Sequence, residues 1–387
     1  MSQPVYITRI AGFLPNEPVS SEAMEQVLGQ AGDRPSRARR LVLRNNGIRW
    51  RHYVIDPETG RTTHNNAQLT AEAVRRLAGE GFSLAELDCL CCGTSSPDQL
   101  QPGHAVMVHG ELGNPACEVA SLSGICVSGV SAMRYAWLAI RAGEARRAVA
   151  TGSEVASTYM RGRFFGPESQ ALAEELEARP ELGFEKDFLR WMLSDGAGAV
   201  LLESRPRMDG PSLKVEWIEQ ASWAHELEAC MYGGAEKNAD GSLTGWREVE
   251  DPRGWLERSV FAVKQDVRLL DRYVVEATVE WTLPAILERR GLSVEQVDRF
   301  LPHMSSEYFR GKLAEALERI GFPIPQERWF TNLERVGNVG SASIFLMLDE
   351  LWREGRLEEG ERLLCFIPES GRFSSAFMAL RVVRNGA

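Results

Sequence analysis

The chain repeats itself, and that limits the folds open to it. "LAGEGFSLAELDCLCCGTSS" (Leu77–Ser96) returns 210 residues later as "LERRGLSVEQVDRFLPHMSS" (Leu287–Ser306). The two share Leu, Gly, Ser, Asp, Ser and Ser at equal spacing, and Leu84 and Leu87 are replaced by Val294 and Val297. A second pair stands at nearly the same offset, 212: "SAMRYAWLAIRAGE" from Ser131 and "SIFLMLDELWREGR" from Ser343. Both read as helices stopping at a glycine, Gly143 or Gly355, and both run through a charged turn into an apolar strand, "AVATG" or "LLCFIP". Helix then strand, twice per half, predicts an α/β fold with buried strands. The halves are expected at 1–205 and 206–387, with an insertion over about 162–190.

The chain has 387 residues and a net charge of −10. That charge argues against a nucleic-acid binder, and no apolar run is long enough for a signal peptide or a membrane span. Seven cysteines in a chain this long are no disulfide framework, so a reduced, cytoplasmic setting is expected. Cys89, Cys91 and Cys92 lack partners at metal-ligand spacing and read as small residues of a buried strand; no metal site is expected.

The offsets also bring chemistry to element ends, where active sites of α/β folds gather. Cys126 precedes a helix whose apolar face is Val130, Met133, Trp137 and Ile140. Free N–H groups and the helix dipole at such a position favour a thiolate, and the small neighbours Gly124, Ser128 and Gly129 admit a carbonyl. The offset pairs Cys126 with Asn338, and His303 follows the strand "RFLP". Each has a bland alternative: a packing cysteine, a structural histidine, an N-cap asparagine. Cys, His and Asn together suit acyl transfer at a thioester, or peptide hydrolysis as in papain-like proteases, whose fold lacks such a duplication.

Four stretches carry a family resemblance: "CGTSSPDQLQPGHAVMVHGELG", the Cys126 segment, "LSDGAGAVLLE" and "PHMSS" with "NVGSAS". In this order they resemble the thiolase superfamily, and within it the β-ketoacyl synthase III type of condensing enzyme. The resemblance implies a five-layer αβαβα fold of two duplicated halves, a homodimer, and a triad of Cys126, His303 and Asn338. It implies acyl-CoA or acyl-carrier-protein thioesters as substrates and no cofactor. The sequence departs from the family at Val-Ser-Gly after Cys126, at Met-Ser-Ser after His303, and at "PESGRFSSAF", where the family has a glycine-rich oxyanion loop. Cys126 and Gly371 are the oxyanion-hole candidates there.

"FLPNEPVSSEAMEQVLG", "RNNGIRWRHYVID" and "PESGRF" look most like the bacterial ketosynthase/cyclases that make 2,5-dialkylcyclohexane-1,3-diones, precursors of dialkylresorcinols and stilbenes. The likeness implies that Cys126 carries an α,β-unsaturated acyl group. A β-ketoacyl thioester attacks it through its α-carbon, and its γ-carbon then adds to the double bond. Ring closure needs a further base, and Glu154, ending "RRAVATGSE", is the candidate; its bland role is to brace a loop. The alternative is a simple β-ketoacyl-carrier-protein synthase III type of enzyme or an acyltransferase. A silent carrier-binding partner is disfavoured by the intact Cys126, His303 and Asn338. Arg34–Arg51 is a basic run, in which Arg37, Arg40 and Arg44 are candidates to hold a carrier protein or CoA phosphate. Phe164 and Phe165 are candidates for the acyl pocket, and Trp223–Trp255 reads as an irregular lid over the second half.

Overall fold

The computed structural model describes residues 3–31, 39–164 and 188–384. Nine strands share one sheet: β1 (Tyr6–Phe13), β2 (Cys89–Thr94), β3 (Glu118–Ser123), β4 (Arg147–Glu154), β5 (Gly196–Glu203), β6 (Pro211–Ser222), β7 (Arg299–Pro302), β8 (Arg362–Glu369) and β9 (Ser374–Arg384). Their order is β7-β8-β9-β6-β1-β5-β4-β2-β3. The β6–β1 join is short, pairing Tyr6 with Lys214 and Ile7 with Leu213. On either side of it the same pattern recurs. β2 and β4 are parallel, with β5 and β1 antiparallel beyond them. β7 and β8 are likewise parallel, with β9 and β6 antiparallel beyond. Among the described residues β3 lacks a counterpart, and an isolated bridge from Phe300 to Trp329 stands in its place.

The helices that position the site are α1 (Asn66–Arg75), α2 (His104–Leu112), α3 (Ser128–Ala142), α4 (Val267–Val275), α5 (Leu283–Arg290), α6 (Phe309–Arg319) and α7 (Ser343–Arg353). Alternate strand side chains point to opposite faces, so each buried strand feeds two cores. Cys89 and Cys91 pack into the central core with α3 and α7, whereas Leu90 and Cys92 face α1 and α2. Leu363, Cys365 and Ile367 enter the same central core, whereas Leu364 and Phe366 face α5 and α6. Three cores separated by two half-sheets make five layers, the thiolase-like αβαβα arrangement. The three cysteines of β2 are fully buried strand residues, as their spacing suggested.

The central helices form where the apolar spacing put them. Val130, Met133, Trp137 and Ile140 are buried along α3, and burying each such side chain contributes about 1.5–3 kcal/mol. Gly143 ends α3 in the left-handed conformation, φ 82°, which only glycine adopts without strain. The entrance to α7 packs backbone to backbone against the start of α3 and against β4: a Cβ on Gly129 (α3) or Gly152 (β4) would lie 2.4 or 2.3 Å from the Ser341 carbonyl oxygen.

The repeated sequence also folds into repeated detail. Before β2, the Glu86 carboxylate accepts the Ser83 N–H at 2.9 Å; before β7, Gln296 Oε1 accepts the Ser293 N–H at 2.9 Å. Asp88 Oδ2 accepts the Arg147 N–H at 3.0 Å, at the start of β4. Asp298 Oδ2 accepts the Arg362 N–H at 2.8 Å, at the start of β8.

Candidate active site

Cys126, Glu154, His303 and Asn338 line one cavity of about 50 Å³. Cys126 lies two residues before α3, and Asn338 two residues before the 3₁₀ turn Gly340–Ala342 that leads into α7. His303 follows the last residue of β7, and Glu154 is the last residue of β4. Four distant sequence positions thus meet because equivalent elements of the two half-sheets end at the same place. The rest of the wall is mainly apolar: Tyr159, Leu189, Met192, Leu193, Leu270 and Val274, with Ser95 and Ser370 among the polar members.

Cys126 is half-buried, with its thiol held well above its ordinary pKa, first by burial, then by the charges of Glu369 and Glu154. Both act against the thiolate that a helix start favours. Glu369 also competes for the helix-start donors: its Oε2 takes the N–H of Ile125 at 2.9 Å and of Val127 at 3.1 Å. Those donors are spent on a carboxylate, whose charge repels a thiolate. The Cys126 N–H between them bonds neither Glu369 nor a backbone carbonyl and lies against its own sulfur; it is the donor an oxyanion formed on that sulfur would take.

His303 is 3% exposed, and burial alone lowers its pKa to about 4. It is neutral at pH 7, so one ring nitrogen donates and the other accepts. Asn338 Oδ1 accepts the Gly340 N–H at 2.9 Å, which leaves Nδ2 as the end free to donate. Glu154 Oε1 accepts the Ser95 and Ser341 N–H groups, each at 3.2 Å. Its Oε2 accepts the Ser95 hydroxyl at 2.5 Å and the Ser96 hydroxyl at 2.8 Å. Burial raises its pKa and these donors oppose the rise. Gly340, at φ 49°, carries no side chain because a Cβ would meet Glu154 Cγ at 3.0 Å.

Two larger cavities adjoin this one. One, of about 670 Å³, shares Ser95, Ile125, Tyr159 and Met231 with it and is bounded outside by His64, Asp98, Leu100, Trp246 and Phe261. The segment expected as a lid over the second half thus walls this vestibule against N-terminal residues. The other, of about 230 Å³, shares Met192 and Leu270 and runs between Leu41, Asn45, Phe188, Tyr308 and Phe309.

Arg40 and Arg44 are exposed on the helix Arg39–Asn46, whose Leu41 and Asn45 line that second cavity. The rest of the basic run is not one patch. Arg39 pairs with Glu25 and Arg49 with Glu334, while Arg51 is wholly buried, donating to Ser21 Oγ and the Trp191 carbonyl. Arg34, Arg37 and Phe165 lie outside the described residues. Phe164 is 49% exposed under Arg163 and does not line the cavity. Gly371 does not line it either; its carbonyl accepts the N–H of Cys230 at 2.8 Å, and Ser370 faces the cavity instead.

Sequence reasoning missed Glu369, Ser95, Ser96 and Asp195. Asp195 accepts the N–H groups of Val54 at 2.8 Å and Ser157 at 2.9 Å, tying the wall segments Ala156–Tyr159 and Leu193–Ser194 together. Burial pushes its pKa up to about 6. The Ser-Ser pair after β2 and the carboxylate in "PESG" were the available signals.

The fold and this site define a thiolase-type α/β enzyme. The model of the "Beta-ketoacyl synthase, N-terminal domain" matches residues 116–207, and that of the "3-Oxoacyl-[acyl-carrier-protein (ACP)] synthase III C terminal" matches residues 287–371. The beta-ketoacyl-[acyl-carrier-protein] synthase III of Koribacter versatilis is 25% identical, covering 97% of each chain. That of Bordetella petrii is 28% identical, covering 91% of this chain and 90% of its own. Among solved structures, the tetronic acid condensing enzyme AbyA1 matches with TM-score 0.72 at 22% identity, over 97% of this chain and 99% of its own. A variant of Xanthomonas campestris OleA with bound lauric acid and lauroyl-CoA matches with TM-score 0.69 at 19% identity, over 98% and 100%. Over nearly its whole length the chain is β-ketoacyl synthase III-like, similar to the condensing acyltransferases that form carbon–carbon bonds. No helix among the described residues is long and apolar enough to cross a membrane.

Proposed function

We propose that the protein is a ketosynthase/cyclase that joins an enoyl group on Cys126 to a β-ketoacyl thioester and closes a 2,5-dialkylcyclohexane-1,3-dione ring. The observation that carries this reading is the carboxylate of Glu154 in the same cavity as Cys126, His303 and Asn338. Two flanking cavities give room for two chains.

In the first half-reaction the Cys126 sulfur displaces the thiol of an acyl-CoA or acyl-carrier-protein thioester, and the leaving thiol takes up the proton that Cys126 gives up. The Cys126 N–H stabilises the tetrahedral oxyanion. Arg40 and Arg44, beside the smaller flanking cavity, are suited to a phosphate or an acidic carrier surface. The chemistry uses thioesters alone and needs no cofactor.

The order of bond formation follows from the product. Attack by the α-carbon on the Cys126 acyl carbonyl, with γ-carbon addition to the double bond, would set the two alkyl groups on adjacent ring carbons. A 2,5 pattern requires the reverse. The α-carbon, acidic between two carbonyls, adds to the enoyl double bond. The γ-carbon then attacks the acyl carbonyl and expels the Cys126 thiolate, which is reprotonated. The thioester left on the ring hydrolyses to a β-keto acid and loses carbon dioxide. His303 and Asn338 Nδ2 donate to the enolate oxygen of the β-ketoacyl group.

Glu154 removes the γ-proton. A carboxylate has about four acceptor positions, and Glu154 already receives four donors. Two of these are hydroxyls, which rotate. Turning the Ser95 hydroxyl, which itself lines the cavity, frees a lone pair on Oε2. The same four donors favour a second reading, in which Glu154 only braces the site and the enzyme is a simple β-ketoacyl synthase III, as its relatives are named. The two are separated by loading with an enoyl thioester, adding a β-ketoacyl thioester, and following Cys126 by intact mass. Loading followed by discharge with the β-ketoacyl thioester supports the cyclase; discharge only by a malonyl thioester supports the simple synthase.

We also propose that the two halves divide near residue 205 and that the protein is a homodimer. β3 presents an unpaired, half-exposed outer edge, the kind of strand a second copy can cover.

A further inference from the structure

Glu369 is a buried carboxylate that the mechanism above does not use. It ends β8 as Glu154 ends β4, and the two strands are equivalent in the two half-sheets. Their bonding is reciprocal. Glu154, from the N-terminal half, holds the Ser341 N–H at the entrance to α7. Glu369, from the C-terminal half, holds the Ile125 and Val127 N–H groups at the entrance to α3. Each half therefore extends a strand-end carboxylate to the helix start of the other. The difference is what each helix start carries: Asn338 in one case, the nucleophile in the other.

We propose that Glu369 is the positioning residue for Cys126: it clamps the N–H groups on both sides of the cysteine, aims the Cys126 N–H and sulfur at the cavity, and keeps the thiol protonated until a thioester is bound. The clamp is geometric. With one oxygen on residues 125 and 127, the intervening Cys126 N–H is not spent on Glu369 and is left to its own sulfur and to what enters the cavity. Glu369 is 7% exposed; burial raises its own pKa, the Ile125 and Val127 N–H groups oppose that rise, and the charge they hold there is little screened by solvent. The same carboxylate occupies the helix-start donors that would otherwise stabilise a thiolate. The other titratable groups facing Cys126 are Glu154 from β4, a second negative charge, and His303 after β7, which burial keeps neutral at pH 7. Among the described residues no cation lines the cavity to offset the two carboxylates. A thiol held this way resists adventitious alkylation and oxidation between turnovers, because thiolate is the reactive form.

This inference rests on Cys126 as the nucleophile, and its test is chosen to fail separately from that reading. The pH dependence of iodoacetamide alkylation at Cys126, located by peptide mass spectrometry, reports ionisation without any thioester. Glu369→Gln keeps an acceptor oxygen for both N–H groups and removes the charge. Its alkylation midpoint is expected about one pH unit lower, which makes it about tenfold faster at a pH below both midpoints. Glu369→Ala removes the clamp as well. It is expected to alkylate faster than wild type and yet to accept acyl groups from a thioester at least about tenfold more slowly. An alkylation profile of Glu369→Gln that superimposes on wild type overturns the electrostatic half, and wild-type acyl loading in Glu369→Ala overturns the positioning half. Should the alanine variant fail to fold, acyl loading by Glu369→Gln replaces its arm: loading at or above the wild-type rate is expected, and a tenfold loss overturns the proposal. Acyl transfer to another cysteine in the wild type, with the alkylation shift intact, would instead count against Cys126 as nucleophile.

Discussion

Single side chains at this site are governed more by what surrounds them than by their type. Cys126 was legible in the sequence as a residue at a helix start, but the raised pKa of its thiol was not, because it comes first from burial and then from a carboxylate at residue 369. His303 shows the same dependence on context: burial lowers its pKa to about 4. The sign is fixed by desolvation, which penalises the imidazolium, so His303 stays neutral at every pH above about 4. The condensation rate measured against pH is expected to show no inflection near 6.5 from this residue. A limb titrating there that disappears in His303→Ala would mean the ring is charged in the working enzyme. Cys126→Ala is expected to take up no acyl group, and intact-mass measurement after thioester treatment checks it. Acyl groups at Cys117 or Cys230 would remove Cys126 from its role. Asn338→Ala is expected to load normally and to condense about 10²–10³-fold more slowly, since its donor serves an oxygen that is charged only in the second half-reaction.

At the scale of elements, the duplication was the most readable feature because it is written in local chemistry. Ser83 with Glu86 and Ser293 with Gln296 make the same turn, and Asp88 and Asp298 anchor the same strand start. The apolar stripes of α3 and α7 were legible for the same reason. The contacts between the helix starts were not, since nothing local in "CVSGVS" or "NVGSAS" says that they meet. Gly152, on β4 beside them, tests how tightly the entrance to α7 packs on the first half. A Cβ there would sit 2.3 Å from the Ser341 carbonyl oxygen and 3.0 Å from the Phe345 ring. Backbone cannot yield as a flexible side chain does, so Gly152→Ala is expected to cost about 1–3 kcal/mol in denaturant unfolding. A midpoint equal to wild type would show that the interface has slack. The basic run illustrates the opposite failure: seven arginines read as one surface, yet Arg51 faces inward and Arg39 and Arg49 are paired.

The whole molecule places one small reaction chamber where two half-sheets end, with a cavity on each of two flanks. That plan suits an enzyme that must bring two acyl chains to one sulfur. Light scattering at micromolar concentration is expected to give twice the chain mass, as the open edge of β3 suggests, and a monomer would leave that edge without a partner. The central claim is that the chamber makes a ring. It is tested most directly by incubating the unmodified protein and Glu154→Gln with an enoyl thioester and a β-ketoacyl thioester, then identifying the products by mass spectrometry and NMR. The expected result is a 2,5-dialkylcyclohexane-1,3-dione from the unmodified protein, and from Glu154→Gln a loaded Cys126 with little or no ring. Ring formation at the normal rate by Glu154→Gln would reduce Glu154 to a brace, and linear β-ketoacyl products alone from the unmodified protein would contradict the cyclase itself.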